Sequence, residues 1–600
     1  MARIQPAPPH PTRTTAAPKV LVLGRDSRSF LAVVRSLGRR GASVHVAWCP
    51  ADDLALRSRY IAEIQDIPIP EAVSGPWVAA LEELVRRERY DLIIPTNDEA
   101  VVALRAERAR FADLARVYQL NERAFEVAYD KHATGELARE LGIPFPEERL
   151  LSEAVDGPSL LAELGTPLVL KPRHSFDFDR VKWEHQVRKV RDERELDVAA
   201  RALLDQGEVL AQRNVPGRGV GVEILAEGGE ILLAFQHERL HEPLQGGGSS
   251  YRRSQALDTD LLDAVTKLAR ALEYTGVGMF EFKREPSTKR WWLIEINARF
   301  WGSLPLALAA GVDFPWALYG LLVEGRREFL REYEPGVTCR NPSIDWPWLW
   351  RNLRADRRDP DLATVGRWQL AGELVPLLTL REHFDSFARD DPRPGFEESR
   401  RVAVDLARVV GAKLVRLPYR LAPLRHLMTR ATRGAVREMR SVLFVCKGNI
   451  CRSPFAAALA ARALPDDIQV ESSGTYPESG RRVPSEAIAA AAAHGVDLTA
   501  SRSSRLTREM LERADLVFVF DSANLARLAS EFPESRSKLH RLGTLAPSGS
   551  VNIRDPYGGG LAAFEWAYAE IAAAIECVAA LLPPRCDTAP KTAVAEESRA

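Results

Sequence analysis

Two cysteines close in sequence, Cys446 and Cys451, are followed at once by Arg452 and Ser453 in the string VCKGNICRSP. The apolar run 441–446 (SVLFVC) predicts a buried strand, Lys447, Gly448, Asn449 and Ile450 a tight loop, and the alanine-rich run 455–463 a helix. A strand–loop–helix turn aims backbone N–H groups and a helix N-terminus at one small volume, which binds an anion and stabilises a thiolate placed there. Cys446 is therefore a candidate nucleophile. The planar fork of Arg452 can grip two phosphate oxygens, a geometry lysine lacks, and Ser453 can donate a hydrogen bond to the sulfur. Taken alone, Cys446 reads better as an inert strand cysteine. The company of Arg452, Ser453 and a distant Asp555 in RDPYG argues for phosphate chemistry.

The elements that must position such groups come from a chain of 600 residues, too long for one core and sized for three or four domains. It is 46% hydrophobic and 27% charged with a formal net charge of zero, so bulk charge gives no argument for nucleic acid. The start (MARIQPAPPHPTRTTAAP) has no apolar run of the signal-peptide kind, no apolar stretch is long enough to span a bilayer, and the expectation is a cytoplasmic protein. Six cysteines are too sparse for a disulfide framework in a chain this long.

Residues 1–18 read as a disordered start and 19–120 as a small doubly wound α/β domain, from the runs KVLVLG, ASVHVAW and YDLIIP. The turn Gly24-Arg25-Asp26-Ser27 lacks the glycine spacing of a dinucleotide site. Residues 121–330 read as α+β, with strands predicted at 167–171, 222–226 and 291–297, and 331–412 as a mixed extension of unread function. The stretch 413–440 carries eight basic residues against one acid, Glu438; it is read as a solvated linker helix rather than a membrane contact. Residues 441–582 form the last domain, and 583–600 a polar, alanine-rich disordered tail.

The string around Cys446 resembles the signature of low-molecular-weight protein tyrosine phosphatases. The resemblance continues through Ser472-Ser473-Gly474-Thr475, through 495–506 with Ser501 where the family has histidine, through Ala514–Val519, and into Arg554-Asp555-Pro556-Tyr557. It implies a parallel sheet flanked by helices, a cysteinyl-phosphate intermediate on Cys446, and Asp555 as general acid and then base. It also implies that Cys451 captures oxidised Cys446 as a reversible disulfide. Arsenate reductases share the loop but use later cysteines, and none lies between Cys451 and Cys577. The phosphatase half needs no cofactor.

Residues 121–325 resemble, more loosely, an ATP-grasp domain joining a carboxylate to an amine, and 19–120 the domain that precedes it. The best string is Glu281-Phe282 with LIEINARFWGS at 293–303. Strand side chains alternate, so Glu295 and Asn297 share a face, and Glu281 on a neighbouring strand completes an oxygen set suited to Mg²⁺ on ATP phosphates. Arg299 would neutralise the transferred phosphoryl group. Lysine is scarce, 12 residues among 82 basic ones, yet Lys131 and Lys171 stand where the family places its phosphate lysines. Gln212 to Gly217, including Val215, resembles the adenine hinge, and Glu223 is expected to reach the ribose. The run 246–252 resembles a flexible glycine-rich substrate loop with Ser249 and with Arg252 to hold a carboxylate. The chain thus reads as an α/β multidomain, bifunctional enzyme using ATP and Mg²⁺, with a small carboxylate and an amine as ligase substrates. The phosphatase substrate is a phosphotyrosine protein or a small phosphoester. The rival reading makes the first half a non-catalytic ATP or metabolite sensor for the phosphatase.

Overall fold

A computed structural model describes residues 17–583 apart from 27, 154–156, 175, 178–181, 184–186, 245–247, 286, 358, 360–361, 379–381, 421, 477 and 549. Gly246 and Gly247 of the expected substrate loop, Ser27, and most of the two terminal stretches expected to be disordered (1–18 and 583–600), namely residues 1–16 and 584–600, lie outside the described residues. The chain divides into two compact units, Met1–Val402 and Ala403–Ala600.

The first unit opens with a parallel sheet whose strands run in the order Ile61–Ile64, Ser43–Ala47, Lys19–Leu23, Leu92–Pro95. Every residue of Leu92–Pro95 is buried, as expected for a parallel strand covered on both faces. Asn97 then caps the helix Asp98–Ala106, its side chain accepting from Ala100 N–H. An antiparallel sheet follows in the order Glu148–Leu151, Val209–Arg213, Leu168–Pro172, Arg188–Val190. A larger sheet has seven strands: Trp291–Asn297, Gly276–Arg284, Arg218–Glu227, Glu230–His241, Tyr251–Gln255, Thr338–Arg340 and His383–Phe384. This is the α+β arrangement expected from the sequence.

The stretch read as a mixed extension completes that sheet with its last two strands, one of three residues and one of two, too short to leave a periodic signal. It is tied back to the helix Ser29–Arg39 by buried Arg35, which donates to Asp391 Oδ2 (2.9 Å), Ser386 O (2.7 Å) and Asp391 O (2.8 Å). Its helices are pinned by His241. Nδ1 of that ring lies 2.7 Å from Asp345 in the helix Pro342–Arg354, Nε2 lies 2.7 Å from Glu373 in the helix Arg367–Leu378, and the ring stacks on Trp348. Burial works against a charged imidazole, but the two carboxylates outweigh it and hold the His241 pKa above its ordinary value. A folded-state value raised above the unfolded one, about 6.5, stabilises fully below that pH and ceases to do so as pH rises through the folded value. Hydrogen exchange in 342–378 is therefore expected to speed up as pH is raised from below about 6.5 through the folded-state value, beyond the intrinsic pH effect. His241→Gln should remove that excess.

The second unit is built on a parallel sheet in the order Gln469–Gly474, Ser441–Cys446, Leu516–Val519, Leu539–Arg541. Along the central strand Val442, Phe444 and Cys446 pack into one core, while Leu443 and Val445 pack into the other, so helices cover both faces. The end of the basic stretch is more than a linker: in the helix Ala422–Glu438, Thr432 and Val436 are buried, Val436 joins the core beneath Cys446, and Thr432 Oγ1 lies 2.9 Å from His540 Nδ1. Arg430, Arg433 and Arg437 on the same helix are exposed. Among the described residues no helix is long and apolar enough to cross a membrane.

Candidate active sites

The strand order of the second unit reverses at Ser441–Cys446, and Cys446 is that strand's last residue, at the carboxyl-end crevice where such sheets bind ligands. The loop 447–451 returns the chain to a helix that begins at Arg452. Asn449 takes a left-handed conformation (φ 50°), one that asparagine tolerates better than most residues, and this points its N–H at Cys446 Sγ, 3.2 Å away. Gly474 allows the loop to settle: a Cβ there would stand 2.8 Å from Asn449 N. The Asn449 side chain then locks three segments together, donating to Ser453 Oγ (2.9 Å) and Ser472 Oγ (3.0 Å) and accepting from Ser504 N–H (2.7 Å).

Ser453 Oγ lies 3.0 Å from Cys446 Sγ and 3.3 Å from Ser473 O. With Asn449 donating to it, the hydroxyl has its own proton to give, and the sulfur is the nearer acceptor. Arg452 is buried, donates from Nη1 to Asp521 Oδ2 (2.7 Å) and Ile553 O (2.9 Å), and places Nη2 3.0 Å from Asp555 Oδ2. Its Nε is buried with no hydrogen-bond partner, a donor suited to an incoming oxyanion. Asp555 is half-exposed beside this pocket. Burial, with Cys446 next in weight, pushes the Cys451 thiol up to about 12, so Cys451 is a protonated neighbour. Lys447 is exposed, while Gly448 and Ile450 complete the loop. The structure thus brings Cys446, Arg452, Ser453 and Asp555 to one place. Sequence reasoning missed Asp521, although it stands just beyond the strand Leu516–Val519 and caps the next helix, a position that marks ligand-facing residues in such sheets.

In the first unit Glu281 and Glu295 are direct cross-strand partners, and Asn297 Nδ2 donates to Glu295 Oε1 at 3.1 Å. Burial, partly offset by Arg239 and reinforced by Glu295, pushes Glu281 up to about 7. Burial opposes the charge on Glu295 too, but Lys131, Asn297 and Lys171 together hold its pKa below the usual range. Glu295 is thus held ionised while burial works against the charge on Glu281, and the two carboxylates paired across the ladder, with the Asn297 amide beside them, offer the oxygen ligands a divalent ion takes.

Lys131 is brought down to about 8, chiefly by burial, and Lys171 is lowered for the same reason. Lys171 Nζ donates to Gln212 Oε1 (3.0 Å), and Gln212 Nε2 donates to Glu148 (3.1 Å). Val215 is buried, its carbonyl accepting from Lys283 Nζ. Arg299 donates to Asp98 Oδ2 at 2.8 Å; that carboxylate, outweighing burial, holds its pKa up.

Two expectations are corrected. Arg252 does not end a flexible loop: it is a fully buried strand residue bonded to Asp385 and to Gly302 O, because the strand Tyr251–Gln255 lies between two others. Glu223 does not reach outward to a ribose: fully buried, it lies 2.6 Å from His237 Nδ1 and accepts from Ser303 Oγ at 3.2 Å. Ser249 is buried. The residue missed here is Arg239, which clamps Glu281 through two contacts of 2.6 and 2.5 Å; an arginine 42 residues from its partner gives no local signal of that role.

Comparison with known proteins agrees with this division. Residues 441–585 match the family described as low molecular weight phosphotyrosine protein phosphatase, and 205–341 match ATP-grasp in the biosynthetic pathway with Ter operon. The probable low molecular weight protein-tyrosine-phosphatase EpsP of Ralstonia nicotianae is 38% identical over 127 residues, 21% of this chain and 85% of that protein. The protein-arginine-phosphatase of Geobacillus stearothermophilus is 31% identical over 138 residues, 23% of this chain and 93% of that protein. Among solved structures, L-amino acid ligase from Bacillus licheniformis is 18% identical, with a TM-score of 0.41 over 54% of this chain and 79% of that one. The chain belongs, through its C-terminal domain, to the low molecular weight phosphotyrosine protein phosphatase family, and that domain is fused to an ATP-grasp region of the Ter-operon type.

Proposed function

We propose that the chain is a bifunctional enzyme whose C-terminal domain hydrolyses phosphotyrosine-type esters through a cysteinyl phosphate. The observation that carries this reading is the pairing of Cys446 Sγ with Ser453 Oγ and Asn449 N–H, beside an Arg452 held between Asp521 and Asp555. The Cys446 thiolate attacks phosphorus, the P–S bond forms, and the P–O bond to the phenol breaks. Arg452 spans the equatorial oxygens, while Asp555 hands its proton to the departing oxygen. Water then attacks phosphorus as the Asp555 carboxylate takes its proton, and the P–S bond breaks to return the thiolate.

Asp555→Asn separates the two roles of that residue. First-turnover release of phenol from phenyl phosphate should slow by roughly 10²–10⁴-fold, because that leaving group needs the proton. Release of an activated nitrophenol should slow much less. Equal slowing would make Asp555 structural, and no slowing would remove it from the mechanism.

For the first unit the reading is an ATP- and Mg²⁺-dependent ligase joining a carboxylate to an amine through an acyl phosphate. Glu281, Glu295 and Asn297 would hold the metal, whose charge when bound offsets that of the phosphates. Lys131 and Lys171 bind and orient phosphate oxygens, Gln212 and Val215 line the adenine side, and Arg299 supplies fixed positive charge. ADP release by a Cys446→Ser protein that depends on both a carboxylate and an amine tests this half. Binding of ATP with no turnover under any such pair would favour a sensor.

A further inference from the structure

The segments that surround the mouth of the phosphatase carry several cations. Lys447 belongs to the phosphate loop, Arg481 and Arg482 to the loop after the strand Gln469–Gly474, Arg502 and Arg505 to the stretch before the helix Arg508–Arg513, and Arg554 precedes Asp555. Backbone bonds gather these segments round Cys446. Thr475 N–H donates to Cys446 O (3.2 Å), Tyr476 N–H to Lys447 O (2.9 Å), Leu506 N–H to Gly474 O (2.8 Å), and Ser503 N–H to Arg481 O (3.0 Å). Arg481 leans over the loop: its guanidinium lies 4.6 Å from the centre of the Tyr476 ring, and its Nη1 lies 3.6 Å from where a Cβ on Gly448 would stand.

Some exposed arginines elsewhere in this domain are paired with acids, as Arg508 is with Glu534, Arg513 with Glu471 and Arg527 with Glu531, while Arg536 donates to the carbonyl of Ala529. Among the described residues Lys447, Arg481, Arg482, Arg502, Arg505 and Arg554 form no salt bridge, although Arg502 donates to the carbonyls of Thr499 and Ser501, and the acids on their segments are Glu478, Asp497 and the catalytic Asp555. Unneutralised charge of one sign repels itself, and it draws anions of the other sign to a cleft. The phosphoryl group is already served by Arg452 and the loop N–H groups, so the rim charge is surplus to it. The rim cations stand on separate segments rather than converging on one point, which suits several carboxylates displayed along a chain better than one compact anion.

We infer that the rim selects phosphotyrosine carried on an acidic peptide segment, with carboxylates flanking the phosphorylated residue and meeting Arg481, Arg482, Arg502 and Arg505. This rests on the phosphatase reading above. The test uses the full chain with two synthetic phosphotyrosine peptides, one with Asp and Glu flanks and one with Asn and Gln in their place. p-Nitrophenyl phosphate and a small bisphosphate ester complete the set. At low salt the acidic peptide should show a KM about tenfold lower with the same kcat, and the gap should narrow as salt is raised. In the double variant R481Q/R482Q that gap should fall to about twofold or less while p-nitrophenyl phosphate turnover stays at the wild-type level, which also shows that the variant folds. The inference is overturned if both peptides share one KM in the wild type, if the double variant raises both KM values equally, or if the bisphosphate ester has a lower KM than the acidic peptide. Failure of the wild type to hydrolyse p-nitrophenyl phosphate would instead strike the phosphatase reading itself.

Discussion

Cys446→Ser is expected to lower aryl phosphate hydrolysis by roughly 10⁵–10⁶-fold, the scale seen when a nucleophile is removed from a site whose other groups remain. A serine hydroxyl fits where Sγ meets Ser453 Oγ and Asn449 N–H, so the loop should keep its shape and still bind phosphate. What is lost is the sulfur nucleophile, because a hydroxyl without an adjacent base is a poor one. ATP binding should be unchanged, since Lys131, Lys171 and Gln212 belong to the other compact unit. Phosphatase assays and ATP titration of the same protein check both halves, and retained hydrolysis would remove Cys446 as nucleophile.

Glu295→Ala should have the second largest effect, a loss of Mg²⁺-dependent ATP turnover by several kcal/mol in the barrier, roughly a thousandfold. Glu295 is the carboxylate that the two lysines hold ionised, while its partner Glu281 is already clamped by Arg239. Removing it takes away the stronger oxygen ligand and leaves Lys131 and Lys171 without their nearby negative charge. Phosphatase activity should be spared. Turnover unchanged at every Mg²⁺ concentration would show that the ligands lie elsewhere.

How much of this was legible in the sequence depended on whether a role is local. The phosphatase loop is a contiguous run, so its strand, turn and helix could be read from VCKGNICRSP, and the strand Ser441–Cys446 lies where the apolar run predicts it. Strand alternation likewise placed Glu295 and Asn297 on one face, and the ladder pairs Glu281 with Glu295. Long-range partners left no such trace. Asp521 reaches Arg452 from 69 residues away, and Arg239 reaches Glu281 across 42. Arg252 misled for a related reason: beside a glycine run it reads as a loop residue, but Asp385, just past a distant two-residue strand, holds it in a buried ion pair. The role of 331–412 was hidden because its strands are too short for a period and gain their stability from the sheet they extend.

The most direct test of the central claim is to trap the intermediate. In the Asp555→Asn protein, an activated nitrophenyl ester needs no acid to leave, whereas hydrolysis of the cysteinyl phosphate has lost its base, so the intermediate should accumulate. Rapid acid quenching of the full chain after mixing with p-nitrophenyl phosphate, followed by peptide mass analysis, should find close to one phosphoryl group per chain on Cys446. It should find none in the Cys446→Ser protein. Nitrophenol release with no phosphoryl group on the chain, or with the group on a residue other than Cys446, would contradict the account.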